Sequence, residues 1–213
     1  LMIAYFKWAE SNPLVLRKQL VFRTPARRSV PRYLVPPQPL EEGSTHTVND
    51  LIFRMIAHSD NDAYALLLEN IPAAHLMRIS KDLNMYYDPD QPDQGVSLTA
   101  YGAFLRVLFN ASYLSEEMSE KALRYLARSS FRTGMAAGLP SGVRLASRAG
   151  ERVLASPGGE ELLQLHEIGI IYHPQRPFLV GITVRGKDFD EMDDVIRDIT
   201  ELIYLEVDRQ LAE

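Results

Sequence analysis

A serine becomes a nucleophile when a nearby base takes its proton, and a lysine amine one helical turn away can do so. That arrangement needs Ser and Lys three residues apart. The chain has five lysines (Lys7, Lys18, Lys81, Lys121 and Lys187), and none has a serine three positions earlier. Its histidines (His46, His58, His75, His166 and His173) show neither the H-x-H nor the H-E-x-x-H spacing that would gather a metal ion. There is no cysteine, which removes thiolate metal sites, disulfides and a thiol nucleophile. No metal and no organic cofactor is expected. The serine in Gly138-Leu139-Pro140-Ser141-Gly142 is too far from its first glycine for a nucleophile elbow. No glycine-rich phosphate loop occurs.

Two triplets, Ser59-Asp60-Asn61 and Arg148-Ala149-Gly150, stand out only through the family resemblance given below. Alone, the first triplet reads as a helix start, with Ser59 and Asp62 spaced as a capping box. The second ends Val-Arg-Leu-Ala-Ser-Arg-Ala-Gly, which alternates as a strand does. Arg132-Thr133-Gly134 is chemically similar but falls in a turn after a helix. Trp8 and the Tyr86-Tyr87 pair read as packing residues.

The elements that must hold these triplets follow from hydrophobic period. Residues 1–10 read as the end of a helix, stopped by Ser11-Asn12-Pro13. A proline-punctuated stretch to Gly43 (Pro25, Pro31, Pro36, Pro37, Pro39) predicts an irregular connection. Helices are expected at Val48–Ala57, from Ser59 to about Asn70, at Ala73–Leu83, around Leu98–Phe109 and at Glu116–Ala127. Beyond Gly142 the period changes to two. Strands are expected at Val143–Gly150, Leu165–Tyr172 and Phe178–Val184, the last two joined by a hairpin loop at 173–177. A closing helix carries Met192, Val195, Ile196, Ile199, Leu202, Ile203 and Val207 on one stripe. Helices first, then antiparallel strands and a covering helix, give an α+β class. The expected units are a helix end and extended connection over 1–46, a helical lobe over 47–141 and a sheet lobe over 142–213 with the closing helix, the opening helix packing with the sheet lobe.

Composition sets the outer limits. The 213 residues are 46% hydrophobic and 24% charged, an ordinary globular balance. A net charge of −5 argues against nucleic acid as a partner. Residues 11–40 hold six basic side chains and no acid, whereas 188–213 hold ten acids and two arginines. These read as two solvated surfaces of opposite sign. No apolar run approaches the ~20 residues of a membrane span.

The run THTVNDLIFRMIAHSDNDAYALLLENI resembles the segment around the S-D-N motif of penicillin-recognising serine hydrolases, the class A β-lactamase and DD-peptidase type. GMAAGLPSGVRLASRAGER, then LHEIGIIYHPQRPFLVGITVRG and a long helix, resembles that family's closing order, with Arg148-Ala149-Gly150 on the K-T-G position. LMIAYFKWAE resembles the continuation of its nucleophile helix. The resemblance implies a β-lactamase/transpeptidase-like fold lacking its N-terminal strands. It places Ser-x-x-Lys within the half-dozen residues before Leu1, and leaves the Phe178–Val184 strand with a bare edge or one borrowed from another chain.

On the same resemblance the ligand is a β-lactam or a peptidoglycan stem peptide, and the location is extracytoplasmic. Ser59 would relay a proton to the leaving nitrogen, Asn61 would bond the ligand's side-chain amide, and Arg148 would hold its carboxylate. The N–H of Glu151, just past Gly150, would form half an oxyanion hole. The departures point the other way. Arg148 stands for a lysine and cannot give up its proton. Ala149 stands for a threonine. The loop that would carry a deacylating acid offers only Asp88, Asp90 and Asp93, which read as turn formers beside proline. A non-catalytic relative that keeps the cleft is therefore the second reading.

Overall fold

The computed structural model describes residues 1–23, 33–84, 97–155 and 161–212. Helix α1 (Met2–Ser11) ends where expected, and a 3-10 turn over Pro13–Arg17 follows. Strands β1 (Gln19–Val21) and β2 (Thr45–Thr47) pair antiparallel, Gln19 opposite Thr47. The connection expected to be irregular thus closes on itself with a short ladder at its base. Asp88, Asp90, Asp93 and the Tyr86-Tyr87 pair lie outside the described residues.

Helices α2 (Val48–Ala57), α3 (Asn61–Asn70), α4 (Ala73–Asp82), α5 (Leu98–Phe109) and α6 (Glu116–Leu126) form the helical part. Thr47, Ser97 and Ser115 cap α2, α5 and α6 by accepting an N–H three residues on. Each such cap contributes about 1 kcal/mol. The opening helix does not join the sheet lobe. Tyr5 and Phe6 of α1 are fully buried with Leu51, Ile52 and Leu67, so α1 lies inside the helical core. Its Lys7 ammonium donates to the Tyr113 carbonyl at 2.7 Å.

The expected antiparallel strands are present and run longer than their apolar centres. They are β3 (Arg144–Ala155), β4 (Glu161–Tyr172) and β5 (Phe178–Gly186), in the order β3-β4-β5. Alternation sorts their side chains onto two faces. Ala146, Ile168 and Ile170 meet the helices on a front face. Leu145, Leu165, Ile171, Val180 and Ile182 meet α7 (Phe189–Ala212) on the back. The outer edges of β3 and β5 carry no strand among the described residues.

Helix α7 corrects one expectation. Its buried residues are Met192, Asp193, Ile196, Thr200 and Tyr204, with Ile203 packed beside them, whereas Val195, Ile199, Leu202 and Leu205 are exposed. The stripe read from the sequence blended the two faces. No described helix is long and apolar enough to cross a membrane.

Candidate active site

Ser59 is not a helix cap. It sits between α2 and α3 with φ 53°, a left-handed conformation uncommon for a side-chain-bearing residue. The cap of α3 is Asp60, whose Oδ1 accepts the N–H groups of Asp62 and Ala63, both at 3.0 Å. Its Oδ2 accepts from the Arg54 guanidinium at 3.0 Å, and Arg54 also donates to the Gln38 carbonyl. Asp60 is 2% exposed. Its carboxylate starts the helix and anchors the turn, which leaves the Ser59 hydroxyl outside the helix.

Arg148 approaches from β3 on the front face. Its Nη1 donates to Ser59 Oγ, joining two residues 89 positions apart across the gap between helices and sheet. Tyr101 of α5 hydrogen-bonds the same guanidinium. Burial lowers the Arg148 pKa and Tyr101 opposes the shift, but a guanidinium stays charged throughout the physiological range. Asn61 opens α3 two residues after Ser59, half-buried.

Gly150 is two residues along β3 from Arg148 and opposite His166 of β4. A Cβ there would meet His166 Nε2 at 2.5 Å, so only glycine lets the imidazole lie against the strand. Burial first, then Arg148 and Arg152, lower the His166 pKa and favour the neutral ring. Its Nδ1 is buried without a hydrogen-bond partner among the described residues. Glu151 points to the back, where its Oε2 accepts the N–H groups of Tyr33 (2.8 Å) and Leu34 (2.7 Å). Its side chain pins the connection to β3.

The structure therefore joins Ser59 to Arg148 directly, with Gly150 and Glu151 following on the same strand and Asn61 on the same turn. Reading the sequence missed Tyr101, which lies within the helix expected around Leu98–Phe109, and His166, one of five histidines without metal-binding spacing. Pairing the two expected strands end to end would have brought residue 150 opposite 165 or 166. Arg132-Thr133-Gly134 lies behind the sheet, where a Cβ on Gly134 would meet carboxylate oxygens of Glu167 at 2.6 Å and Asp193 at 2.9 Å. No group of three or more His, Asp or Glu side chains suited to a metal occurs among the described residues.

Residues 1–207 match the profile of the beta-lactamase enzyme family. The chain belongs to that family. Its hydrolase fold is shared with solved structures at low identity. The structure of PBP-A superposes with a TM-score of 0.72 at 17% identity, covering 98% of this chain and 78% of that one. A beta-lactamase from Sphaerobacter thermophilus gives 0.68 at 21%, covering 93% and 76%. A class A beta-lactamase from Mycobacterium abscessus gives 0.70 at 16%, covering 97% and 81%. A PBP-A mutant is also known as an acyl-enzyme complex with penicillin G. A search of curated protein sequences finds no significant match. Within this beta-lactamase fold, the Arg148–Ser59 contact joins the two triplets read from the sequence.

Proposed function

We propose that the cleft between α2–α3 and β3 binds the carboxylate of a β-lactam or of a peptidoglycan stem peptide. Arg148 supplies the charge, and Asn61 bonds the amide of the ligand's side chain. Ser59 stands ready to hand a proton to the nitrogen released when the acyl bond breaks. The Glu151 N–H faces the carbonyl oxygen as half of an oxyanion hole, with Gly150 beside it. The observation that carries this reading is the Arg148–Ser59 hydrogen bond. It brings a permanent cation and a hydroxyl together at the boundary between helices and sheet, with Tyr101 steadying the cation. A ligand of this kind is found outside the cytoplasmic membrane, so an extracytoplasmic location belongs to the same proposal.

Acyl transfer also needs a nucleophile, and no Ser-x-x-Lys occurs in the 213 residues. As given, the chain binds without forming an ester. A Ser-x-x-Lys encoded ahead of Leu1 would complete an acylating enzyme. Any other sequence there would make the protein a binding module with an inert cleft, a reading favoured by the Arg and Ala at positions 148 and 149. Incubation with a fluorescent penicillin, followed by intact-mass measurement and by calorimetry, tests the proposal. Reversible binding with no mass increase is expected. Absence of binding would overturn the cleft assignment, and a stoichiometric adduct would show a nucleophile elsewhere in the chain.

A further inference from the structure

Ser44, His46 and Asp50 form a hydrogen-bonded line at the start of α2. Ser44 Oγ lies 2.9 Å from His46 Nε2, and His46 Nδ1 lies 2.8 Å from Asp50 Oδ2. The local fold sets this line. Gly43 has φ 81° and donates its N–H to the Phe22 carbonyl, while the Phe22 N–H donates to the Ser44 carbonyl, both at 2.9 Å. That pattern is a G1 bulge, which calls for glycine at its first position. Beyond it the β1–β2 ladder is regular, with His46 opposite Leu20. Ser44 and His46, two residues apart on one strand, therefore project from the same face. Thr47 caps α2, and Asp50 comes round in its first turn, four residues after His46. The ladder also decides where the amide after the serine points. Ser44 and Val48 bond to Phe22 and Lys18 through their backbones. Bonded positions alternate, so the Thr45 N–H is directed away from β1. Ser44 is half-buried, the His46 side chain is 20% exposed, and Glu41, Glu42, Gly43 and Thr45 are exposed.

We infer that Ser44, His46 and Asp50 form a nucleophilic site separate from the cleft, which takes short acyl groups from neutral, activated esters and passes them to water. The ten residues of α2 set it ~15 Å from Ser59 along the helix axis. At rest the Ser44 hydroxyl donates to the Glu41 carbonyl at 2.5 Å. Turning the O–H about the Cβ–Oγ bond redirects it to His46 Nε2 with the heavy atoms in place. Oγ then bonds to the ester carbonyl carbon while Nε2 takes its proton. Asp50 accepts from Nδ1–H and stabilises the imidazolium. The Thr45 N–H donates to the oxyanion of the tetrahedral intermediate. When the bond to the leaving oxygen breaks, that oxygen keeps the electron pair and receives the proton from Nε2. Water repeats the sequence on the Ser44 ester and releases the acid. Glu41, Glu42 and Asp50 make the surroundings negative, which favours neutral esters over the carboxylate-bearing ligands of the cleft. The exposed flanks are two glutamates, a glycine and a threonine, so no apolar wall holds a long acyl chain.

The test uses a fluorophosphonate probe, which phosphonylates activated serines with loss of fluoride. Intact mass and peptide mapping read the result on the full chain. One adduct on Ser44 is expected, absent from Ser44→Ala and from the wild type in concentrated urea. His46→Gln should slow the labelling on the order of a hundredfold, the usual scale of a general base. Asp50→Asn should slow it about tenfold, less than in a buried triad because the carboxylate is 43% exposed and screened by solvent. Nitrophenyl acetate should be hydrolysed by the wild type at a rate that Ser44→Ala and His46→Gln both lower. An unlabelled Ser44 would overturn the site. So would labelling that His46→Gln leaves unchanged, or labelling that persists in urea, since either would show a serine with no activating partner.

Discussion

Glu167 and Asp193 meet behind the strand that carries Arg148, their carboxylates converging on Gly134 from β4 and α7. Glu167 is wholly buried, accepting from Ser147 Oγ at 2.6 Å and from the Met135 N–H at 2.8 Å. Asp193 accepts from the Tyr33 hydroxyl at 3.0 Å, while its Oδ1 has no partner among the described residues. Burial is the main cause, with Asp193 adding to it, that raises the Glu167 pKa from 4.5 to about 7. The protonated acid can then donate a hydrogen bond within the pair.

The raised value fixes a pH dependence. The folded state holds a proton that the unfolded chain releases near 4.5, so this contribution to stability is complete below that pH. It is lost as the pH rises through about 7. A shift of this size corresponds to roughly 3 kcal/mol. Glu167→Gln mimics the protonated acid. The variant should match the wild type at pH 4.5 and exceed it by up to about that amount at pH 8, as measured by urea unfolding. Parallel profiles for the two proteins would show that Glu167 is not the titrating group.

Removing the arginine that anchors the Ser59 turn should be costly. Arg54→Met leaves the Asp60 carboxylate buried without its cation, which typically costs 3–5 kcal/mol. Asp60→Asn in the same background should recover part of that loss, because the amide oxygen still caps α3. Unfolding measurements on the two variants and their combination give the coupling directly.

Gly150→Ala should drive the His166 ring off the strand. A loss of about 1–3 kcal/mol is expected, the usual cost of overpacking. Pairing it with His166→Ala should restore most of the stability, since the atoms in conflict are ring atoms. Failure of the double variant to recover would place the conflict in the backbone.

Arg148→Ala should weaken the reversible binding of a monocarboxylate penicillin on the order of tenfold or more, with Arg148→Lys intermediate. Calorimetry at pH 7 reads both. Unchanged affinity would move the carboxylate site away from β3.

How legible this was depends on sequence distance. Helix α2 and the three-strand antiparallel sheet could be read from period alone, because their signals are contiguous. The Arg148–Ser59 pairing could be expected only from motif order, since nothing local in either triplet names the other. Ser59 itself misled, because a Ser followed by an acid three residues on also describes a cap. Asp60 fills that role, its Oδ1 accepting the Asp62 and Ala63 N–H groups while Arg54, six residues back, holds its Oδ2. The β1–β2 ladder was invisible, as three-residue strands flanking a long proline-rich segment show no period. Residues on α7 were assigned to the core by their chemistry, yet Val195, Ile199 and Leu202 of that stripe are exposed while Asp193 and Thr200 are buried.

The placement of α1 has a consequence for the order of assembly. Phe6 packs edge-on against Tyr125, and Lys7 bonds to the Tyr113 carbonyl, partners more than a hundred residues downstream. At ~5–20 residues per second, a ribosome delivers them about five to twenty seconds after α1. Through that interval the first helix has its most apolar face bare. The β3-β4-β5 meander, by contrast, closes between neighbours and is synthesised late. Topologies with such distant closures fold slowly, because chain entropy must be lost before the contacts that offset it can form. The helical core therefore waits on its own centre, and the nascent chain needs protection there rather than at the cleft.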